Sequence, residues 1–519
     1  MFAESVEQPP WWGGSQTKNP AISLFRSSQR LTYRLLIMNS NSSSGQFTFG
    51  MIGLGTMGRN LLLNMADHGF AVAGYDKNPA QSVSLNAESA RIPGAVVQAF
   101  VDIEPFVNSL KSPRAIMMLV PAGKIVDSVI ADLLPLLSTG DIIIDGGNSH
   151  FTDTTRRDLE LAAQGYHFFG MGISGGEEGA RRGPSMMPGG DKAAYQFVKP
   201  LLDAVAAQVN GQPCVTYIGP GSAGHFVKMV HNGIEYAVMQ LLAESYELLR
   251  KGLKLDNEAI HVVLSDWNTG RLQSFLVEVT RDILAYKEPG SAQLLLDGIK
   301  DEAKSKGTGK WTSQVAMDIV TPIPAIDSSV AMRDLSKYKA LRVKAASLYG
   351  EPSVLPVEKE AFLVHLEQAF YFSMITTYAQ GMHLLASASV QFGYELDLAN
   401  ITRIWRGGCI IRAAFLETML SAYHTDPALE HLLVAPAVRD IIAETLPGIR
   451  AVVATAVTAG IAVPTFAASM SYFDAFRSAN MPSNLIQAQR DYFGAHTFER
   501  VGQEGVFHAQ WQGEASVMP

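Results

Sequence analysis

A chain of 519 residues exceeds one ordinary core and implies two or three domains. Its 47% hydrophobic and 17% charged residues are those of a globular protein with ample apolar material to bury, which excludes global disorder. The net charge of −8 excludes a general nucleic-acid binder, which needs a basic face, but not a local cationic cluster for a small anion.

The first 45 residues differ from the rest. They carry Pro9-Pro10, Trp11-Trp12, Gly13-Gly14 and the run Asn39-Ser40-Asn41-Ser42-Ser43-Ser44. No charged start precedes an apolar core, as a secretory signal requires. Arg26, Arg30 and Arg34 among serines resemble a transit peptide, but Glu4 and Glu7 count against one. Residues 1–45 are expected to be a disordered or non-native extension, with Met38 a candidate start.

From residue 47 to about 219, short apolar runs alternate with helical stretches. Buried strands are expected at 47–52, 71–75, 115–120, 142–145, 167–173 and 215–218. Amphipathic helices are expected at 57–67, 124–137, 152–163 and 193–208. This alternation predicts an α/β, doubly wound, Rossmann-like domain over 46–221, with helices on both faces of a mostly parallel sheet.

Gly53-Leu54-Gly55-Thr56-Met57-Gly58 follows the first strand and opens the first helix. In that context the glycines allow a tight turn and let a helix N-terminus face a pyrophosphate. The bland alternative is a glycine turn without a ligand. Asp76 follows the second strand, about 20 residues on, where a carboxylate accepts from ribose hydroxyls and repels a 2′-phosphate. Asp76 therefore points to NAD, while the adjacent Lys77 could pair with such a phosphate. Alternatively, Asp76 only forms the turn ahead of Asn78-Pro79.

Two glycine-bearing segments end later strands. Asp145-Gly146-Gly147-Asn148-Ser149 lies where ligands gather in α/β sheets. Ser174-Gly175-Gly176-Glu177-Glu178-Gly179-Ala180-Arg181 offers a hydroxyl and backbone amides to a carboxylate or phosphate. Each alone could be plain turn chemistry.

After Ser222 strand signals stop. Helices are expected at 225–251, 257–264, 272–285 and 357–389, giving an all-helical domain over 222–480. The longest apolar stretch, 451–462, is too short to cross a bilayer comfortably and is expected to be a buried helix. The polar and aromatic residues 481–519 have little periodicity and suggest an extended tail that lies on something else. In the first of these helices Lys228, His231, Asn232 and Glu235 fall at i, i+3, i+4 and i+7, on one face. Lys228 and Glu235 are then roughly 10 Å apart along the axis, spaced to flank a small substrate. A solvated polar stripe is the competing explanation.

Cys214 and Cys409 are the only cysteines. Two distant thiols make no disulfide framework, so a reducing, cytoplasmic setting is expected, and no Cys/His spacing suggests a metal site.

The run 228–236 resembles the catalytic signature of the 6-phosphogluconate dehydrogenase family, part of the β-hydroxyacid dehydrogenase superfamily. The family pattern is also matched by 145–149, by 173–181 and by Lys306-Gly307-Thr308-Gly309-Lys310-Trp311. It is matched again by Trp405-Arg406-Gly407-Gly408-Cys409-Ile410-Ile411-Arg412 and by Arg490-Asp491-Tyr492-Phe493-Gly494-Ala495-His496. Without the resemblance, 306–310 is a flexible basic loop, since it lacks the Walker A spacing.

The resemblance implies oxidative decarboxylation of 6-phosphogluconate to ribulose 5-phosphate with NADP or NAD. It implies Lys228 as general base and Glu235 as acid, with His231 and Asn232 beside them. Asn148, Ser174, Gly175 and Gly176 would join His231 and Asn232 in holding the sugar acid. Tyr236, Lys306, Thr308 and Arg333 would bind its phosphate, and Arg490 and His496 would reach the neighbouring site of a homodimer. The dinucleotide would lie on 53–58, Asp76, Lys77, Val120, Ala122 and Asn148. Two positions depart from the family: Asp76-Lys77-Asn78 stands where many members carry Asn-Arg-Thr, and Pro121 where a Lys is frequent. A non-decarboxylating β-hydroxyacid dehydrogenase is the nearest rival, but it has no need of Glu235, Lys306, Arg333 or Arg490. A non-catalytic dinucleotide-binding scaffold would have lost Lys228, Asn232 or Glu235, and all three are present.

Overall fold

The computed structural model describes residues 46–511, so the expectations for 1–45 and for 512–519 lie outside the described residues. A seven-stranded sheet forms the first unit: β1 (Phe49–Ile52), β2 (Val72–Tyr75), β3 (Val97–Phe100), β4 (Ala115–Met118), β5 (Ile142–Asp145), β6 (His167–Ser174) and β7 (Ser185–Gly190). Their order is β3-β2-β1-β4-β5-β6-β7. The first six are parallel, and β7 runs antiparallel to β6.

Both faces are covered. Met117, Ile142 and Ile144 pack into one apolar cluster, while their chain neighbours Ile116, Met118 and Ile143 pack into another. This alternation is the period-two side-chain pattern of a strand buried on both sides. Strand order reverses between β1 and β4, so the crevice at their carboxyl ends is the switch point where such sheets bind ligands. The glycine run after β1 and the turn after β4 meet there: a Cβ on Gly53 would fall 2.5 Å from the Leu119 carbonyl oxygen.

Several expectations are corrected. Residues 215–218 form no strand although they lie along the open edge of β7: Val215 bridges to Met186 and the Ile218 N–H donates to the Pro188 carbonyl, but Pro188 has no N–H to continue the ladder. The glycine-bearing segment after Ser174 turns at once into the helix Gly176–Arg182. The strand Val97–Phe100 and the helix Pro79–Ser89 were not expected, since the strand is only partly buried and the helix carries a weak apolar stripe. The segment 306–310 is ordered: Gly307, at φ +102°, starts the helix Thr308–Asp318. The tail is not uniformly extended but holds the helix Ser483–Gly494 and a hairpin of Phe498–Arg500 with Gln503–Phe507.

The second unit is helical and built around Ala223–Glu247, hereafter the active-site helix, and the 34-residue helix Lys359–Phe392. Among the described residues one helix, Pro436–Ala459, is long and apolar enough to cross a membrane. It contains Pro447, and its Val438, Ile442, Ile449 and Val452 are buried in the helical core.

The active-site helix joins the two units by lying directly on β6 and β7. Small residues allow this contact. A Cβ on Gly170 would sit 2.5 Å from His225 Nδ1, one on Gly172 2.3 Å from Lys228 Cβ, and one on Gly189 2.2 Å from the Gly224 nitrogen. Side chains at these glycines would push the helix off the sheet.

Candidate active site

The turn after β1 has the geometry a dinucleotide requires. Gly53 has φ +92°, a conformation costly for other residues. A Cβ on Gly58 would lie 1.9 Å from the Gly53 carbonyl oxygen, so the first helix can approach the strand only with glycine there. A Cβ on Gly55 would meet nothing within 4 Å, leaving open room beside the helix Thr56–Asp67. A tight turn, open space and an uncapped helix N-terminus together fit a pyrophosphate.

Asp76 lies just past β2, beside this turn. Its Oδ2 accepts from the Leu54 N–H at 2.7 Å and its Oδ1 from the Asn78 N–H at 2.8 Å. The turn-forming role is thus realised; the negative charge remains, with fewer lone pairs free for a ribose. Lys77 is exposed and points its amine at Asp132, 2.9 Å away. Val120 is half-buried and Ala122 exposed across the switch point.

Asn148 is the exposed residue of an otherwise buried turn after β5. Asp145 organises that turn: it accepts from the Gly147 N–H at 3.0 Å and from the Ser149 hydroxyl at 2.6 Å. Arg157, 1% exposed, crosses beneath it, 3.5 Å from Asp145 and 2.8 Å from Asp127, and donates to the Gly123 carbonyl. One buried guanidinium therefore links the turn carrying Asn148 to the turn carrying Val120 and Ala122. Neither Arg157 nor Asp145 carries a sequence signal of this role, because their pairing depends on the fold.

The helix Ala223–Glu247 carries a cluster of buried polar groups. Lys228, His231 and Asn232 are all buried. Lys228 Nζ lies 3.4 Å from His231 Nδ1, which is 3.1 Å from Asn232 Oδ1. The other ring nitrogen of His231 lies 3.1 Å from Ser174 Oγ and 3.0 Å from Cys409 Sγ. Ser174 Oγ also accepts from the Ile410 N–H. The strand-end hydroxyl of one unit, the helix of the other and the segment 405–412 thus converge on one imidazole. Cys409 was named in the sequence only within a motif; its contact with His231 depends on a chain reversal that no local pattern reveals. Gly175, at φ +122°, approaches the same segment, since a Cβ there would meet the Gly408 carbonyl at 2.6 Å. Gly176 is exposed at the start of the following helix.

Burial sets the electrostatics. Loss of solvent lowers the pKa of Lys228, partly opposed by the charge of Glu235. Loss of solvent raises the pKa of Glu235, partly opposed by Lys228 and Arg333. His231 is held well below its ordinary value, first by burial and then by Lys228, and is neutral. An amine that releases its proton more readily and a carboxyl that keeps its own more firmly therefore sit two turns apart on one helix face.

Beyond Glu235 the polar groups become cationic. The Arg333 guanidinium stacks on the Tyr236 ring, 3.5 Å from its centre, and donates to the Lys304 carbonyl. Thr308 is buried, and Gly309 packs so tightly that a Cβ would lie 2.5 Å from the Tyr236 ring. Lys306 is exposed just ahead of this helix.

Arg490 and His496 do not join this group within the chain. Both are exposed; Arg490 donates to Gln487, and the His496 ring lies 6.2 Å from Phe493. Among the described residues no cluster of His, Cys, Asp or Glu could hold a metal ion.

Comparison with known proteins places these features. Residues 48–219 match the NAD-binding domain of 6-phosphogluconate dehydrogenase, and residues 224–511 match the C-terminal domain of 6-phosphogluconate dehydrogenase. The chain is 47% identical over 464 residues to an NADP(+)-dependent, decarboxylating 6-phosphogluconate dehydrogenase of Bacillus subtilis, covering 89% of this chain and 98% of that one. It is 47% identical to the decarboxylating enzyme of Escherichia coli K12 over the same shares. A solved Plasmodium falciparum 6-phosphogluconate dehydrogenase, described apo, with NADP+ and with 6-phosphogluconate, superposes with TM-score 0.86 at 42% identity, covering 89% of this chain and all of that one. The chain belongs to the 6-phosphogluconate dehydrogenase family.

Proposed function

We propose that this protein oxidises and decarboxylates 6-phosphogluconate to ribulose 5-phosphate, with Lys228 as general base and Glu235 as general acid. The observation that carries the reading is the pair itself: a buried lysine and a half-buried glutamate on one helix face, with loss of solvent driving their proton affinities in opposite directions. A bound dinucleotide supplies the acceptor for the hydride that leaves C3.

Neutral Lys228 takes the C3 hydroxyl proton as that hydride departs. The product is a 3-keto acid with its carboxylate β to the new carbonyl, so carbon dioxide leaves with its bonding electrons flowing toward that oxygen. Lys228, now an ammonium, returns its proton there and stabilises the developing charge. Glu235 then protonates the carbon that lost the carboxylate, which becomes C1 of ribulose 5-phosphate, and the enediol hydroxyl gives its proton back to Lys228.

Ser174, Gly175, Gly176, Asn148, His231 and Asn232 hold the sugar acid, and Tyr236, Lys306, Thr308 and Arg333 take the phosphate. Arg333, pinned against Tyr236, presents a planar fork suited to an oxyanion. The non-decarboxylating alternative leaves Glu235 and this cationic end without a task.

The dinucleotide is NADP in this reading, in line with the Bacillus and Plasmodium relatives, with Asp76 the residue that stands against it. The working form is a homodimer in which Arg490 and His496 complete the partner's site. Support comes from the exposure of those residues and of Leu485, Ile486 and Phe493 beside them. A cytoplasmic setting fits two buried, unpaired thiols. The test is a steady-state assay with 6-phosphogluconate and each dinucleotide, following reduced cofactor and carbon dioxide together. Equal amounts of both products are expected; reduced cofactor without gas would leave the non-decarboxylating reading standing.

A further inference from the structure

Among the described residues, two cations near the carboxyl end of β2, Lys77 and Arg59, are both paired. Lys77 follows Asp76 directly in the chain, and its amine is engaged by Asp132 at 2.9 Å. Arg59, on the first helix, is engaged as well, donating to Gln81 and lying 3.1 Å from Glu88. Three carboxylates, Asp76, Asp102 and Asp132, act electrostatically on the nearby Tyr75. Asp132 occupies the last turn of the helix Lys124–Leu133, where the helix dipole adds negative rather than positive potential. A 2′-phosphate placed beyond β2 would meet Lys77 only after that amine had left Asp132.

We propose that Asp132 is a specificity-determining residue for the dinucleotide: by pairing with Lys77 it withholds the cation a 2′-phosphate needs, and so sets the ratio in which the protein takes NADP and NAD. This rests on the dinucleotide lying in the β1/β4 crevice, and it is independent of the substrate and of the roles of Lys228 and Glu235. The magnitude follows from exposure. The Lys77 and Asp132 side chains are 65% and 42% exposed, so the pair is weak and a phosphate can compete with it. Asp132 therefore acts as a brake on NADP rather than a block. Removing it frees Lys77 and deletes one repelling charge; a shift of up to about fivefold in relative affinity is the scale of such a surface pair. NAD, with a hydroxyl at that position, is indifferent to where Lys77 points.

Calorimetric titration of NADP+ and of NAD+ tests this without turnover, on the wild-type protein and on Asp132→Ala, Asp132→Asn, Lys77→Ala and the Lys77→Ala/Asp132→Ala double variant. Both positions are on the surface, so the variants retain the fold. Both Asp132 variants are expected to lower the Kd for NADP+ about two- to fivefold and leave that for NAD+ unchanged. Lys77→Ala is expected to weaken NADP+ alone, and in that background removal of Asp132 gains little. An unchanged Kd ratio in Asp132→Ala overturns the proposal. So does an equal gain with Lys77 absent, which would reduce Asp132 to a distant repelling charge. If wild-type protein bound neither dinucleotide, the crevice reading itself would fall.

Discussion

Gly172 in β6 and Lys228 in the active-site helix are in direct contact: a Cβ on the glycine would lie 2.3 Å from the lysine Cβ. The strand fixes the position of the amine by having no side chain beneath it. Gly172→Ala is therefore expected to lift the helix, at a cost of about 1–3 kcal/mol in stability. It should lower kcat by roughly 100-fold, because displacements near 1 Å suffice for that. Denaturant unfolding and steady-state kinetics on the same preparation check both. A fully active, equally stable variant would show that the contact is slack.

The opposed shifts of Lys228 and Glu235 predict a bell-shaped dependence of kcat on pH. Activity rises as Lys228 loses its proton, at a pH below the ordinary lysine value, and falls as Glu235 loses its own, at a pH above the ordinary glutamate value. Glu235→Gln should remove the falling limb and leave the rising one. If the falling limb persisted, another acid would have to be sought.

How much of this was legible beforehand differs between parts. The glycine run and the i, i+3, i+4, i+7 face of the active-site helix are local patterns that stand where their spacing put them, and the alternation of strands and helices holds for most of the sheet. Gly170, Gly172 and Gly189 were not legible as a docking surface, because a glycine's purpose depends on what approaches it from elsewhere in the chain. Val97–Phe100 escaped notice because it is only partly buried, so its apolar signal is diluted. Residues 215–218 are as apolar as a strand and do run beside β7, but Pro188 offers no N–H to continue the ladder past Val215. The contact of Cys409 with His231 joins residues 178 apart in the chain, beyond any windowed pattern.

The exposed Arg490 and His496 predict complementation between subunits. Lys228→Ala and Arg490→Ala proteins should each be nearly inactive. After co-refolding, hybrid dimers should carry one intact site, restoring about a quarter of the sites in an equal mixture. Recovery is read as turnover in the mixture against the two parents; none would place Arg490 outside the partner's site.

Glu244 lies on the active-site helix, away from the chemistry, 3% exposed, and accepts from the N–H groups of Thr465 and Phe466. Burial pushes its pKa up to about 7, despite those hydrogen bonds. Because the folded value lies above the unfolded one, its stabilising contribution is complete below the ordinary glutamate value and is lost as pH rises through about 7. The loss is up to about 3 kcal/mol. Glu244→Gln should flatten that part of the pH dependence in denaturant unfolding between pH 5 and 8. An identical slope in both proteins would remove Glu244 as its source.

A rapid-mixing experiment separates the two proton-transfer roles most directly. Lys228→Ala and Glu235→Gln, each saturated with dinucleotide, are mixed with 6-phosphogluconate while reduced cofactor is followed. With Lys228 as the base, its variant gives no burst. With Glu235 acting only after decarboxylation, its variant gives a burst of one equivalent per site and then slow turnover. A full burst from Lys228→Ala, or none from Glu235→Gln, would contradict the assignment.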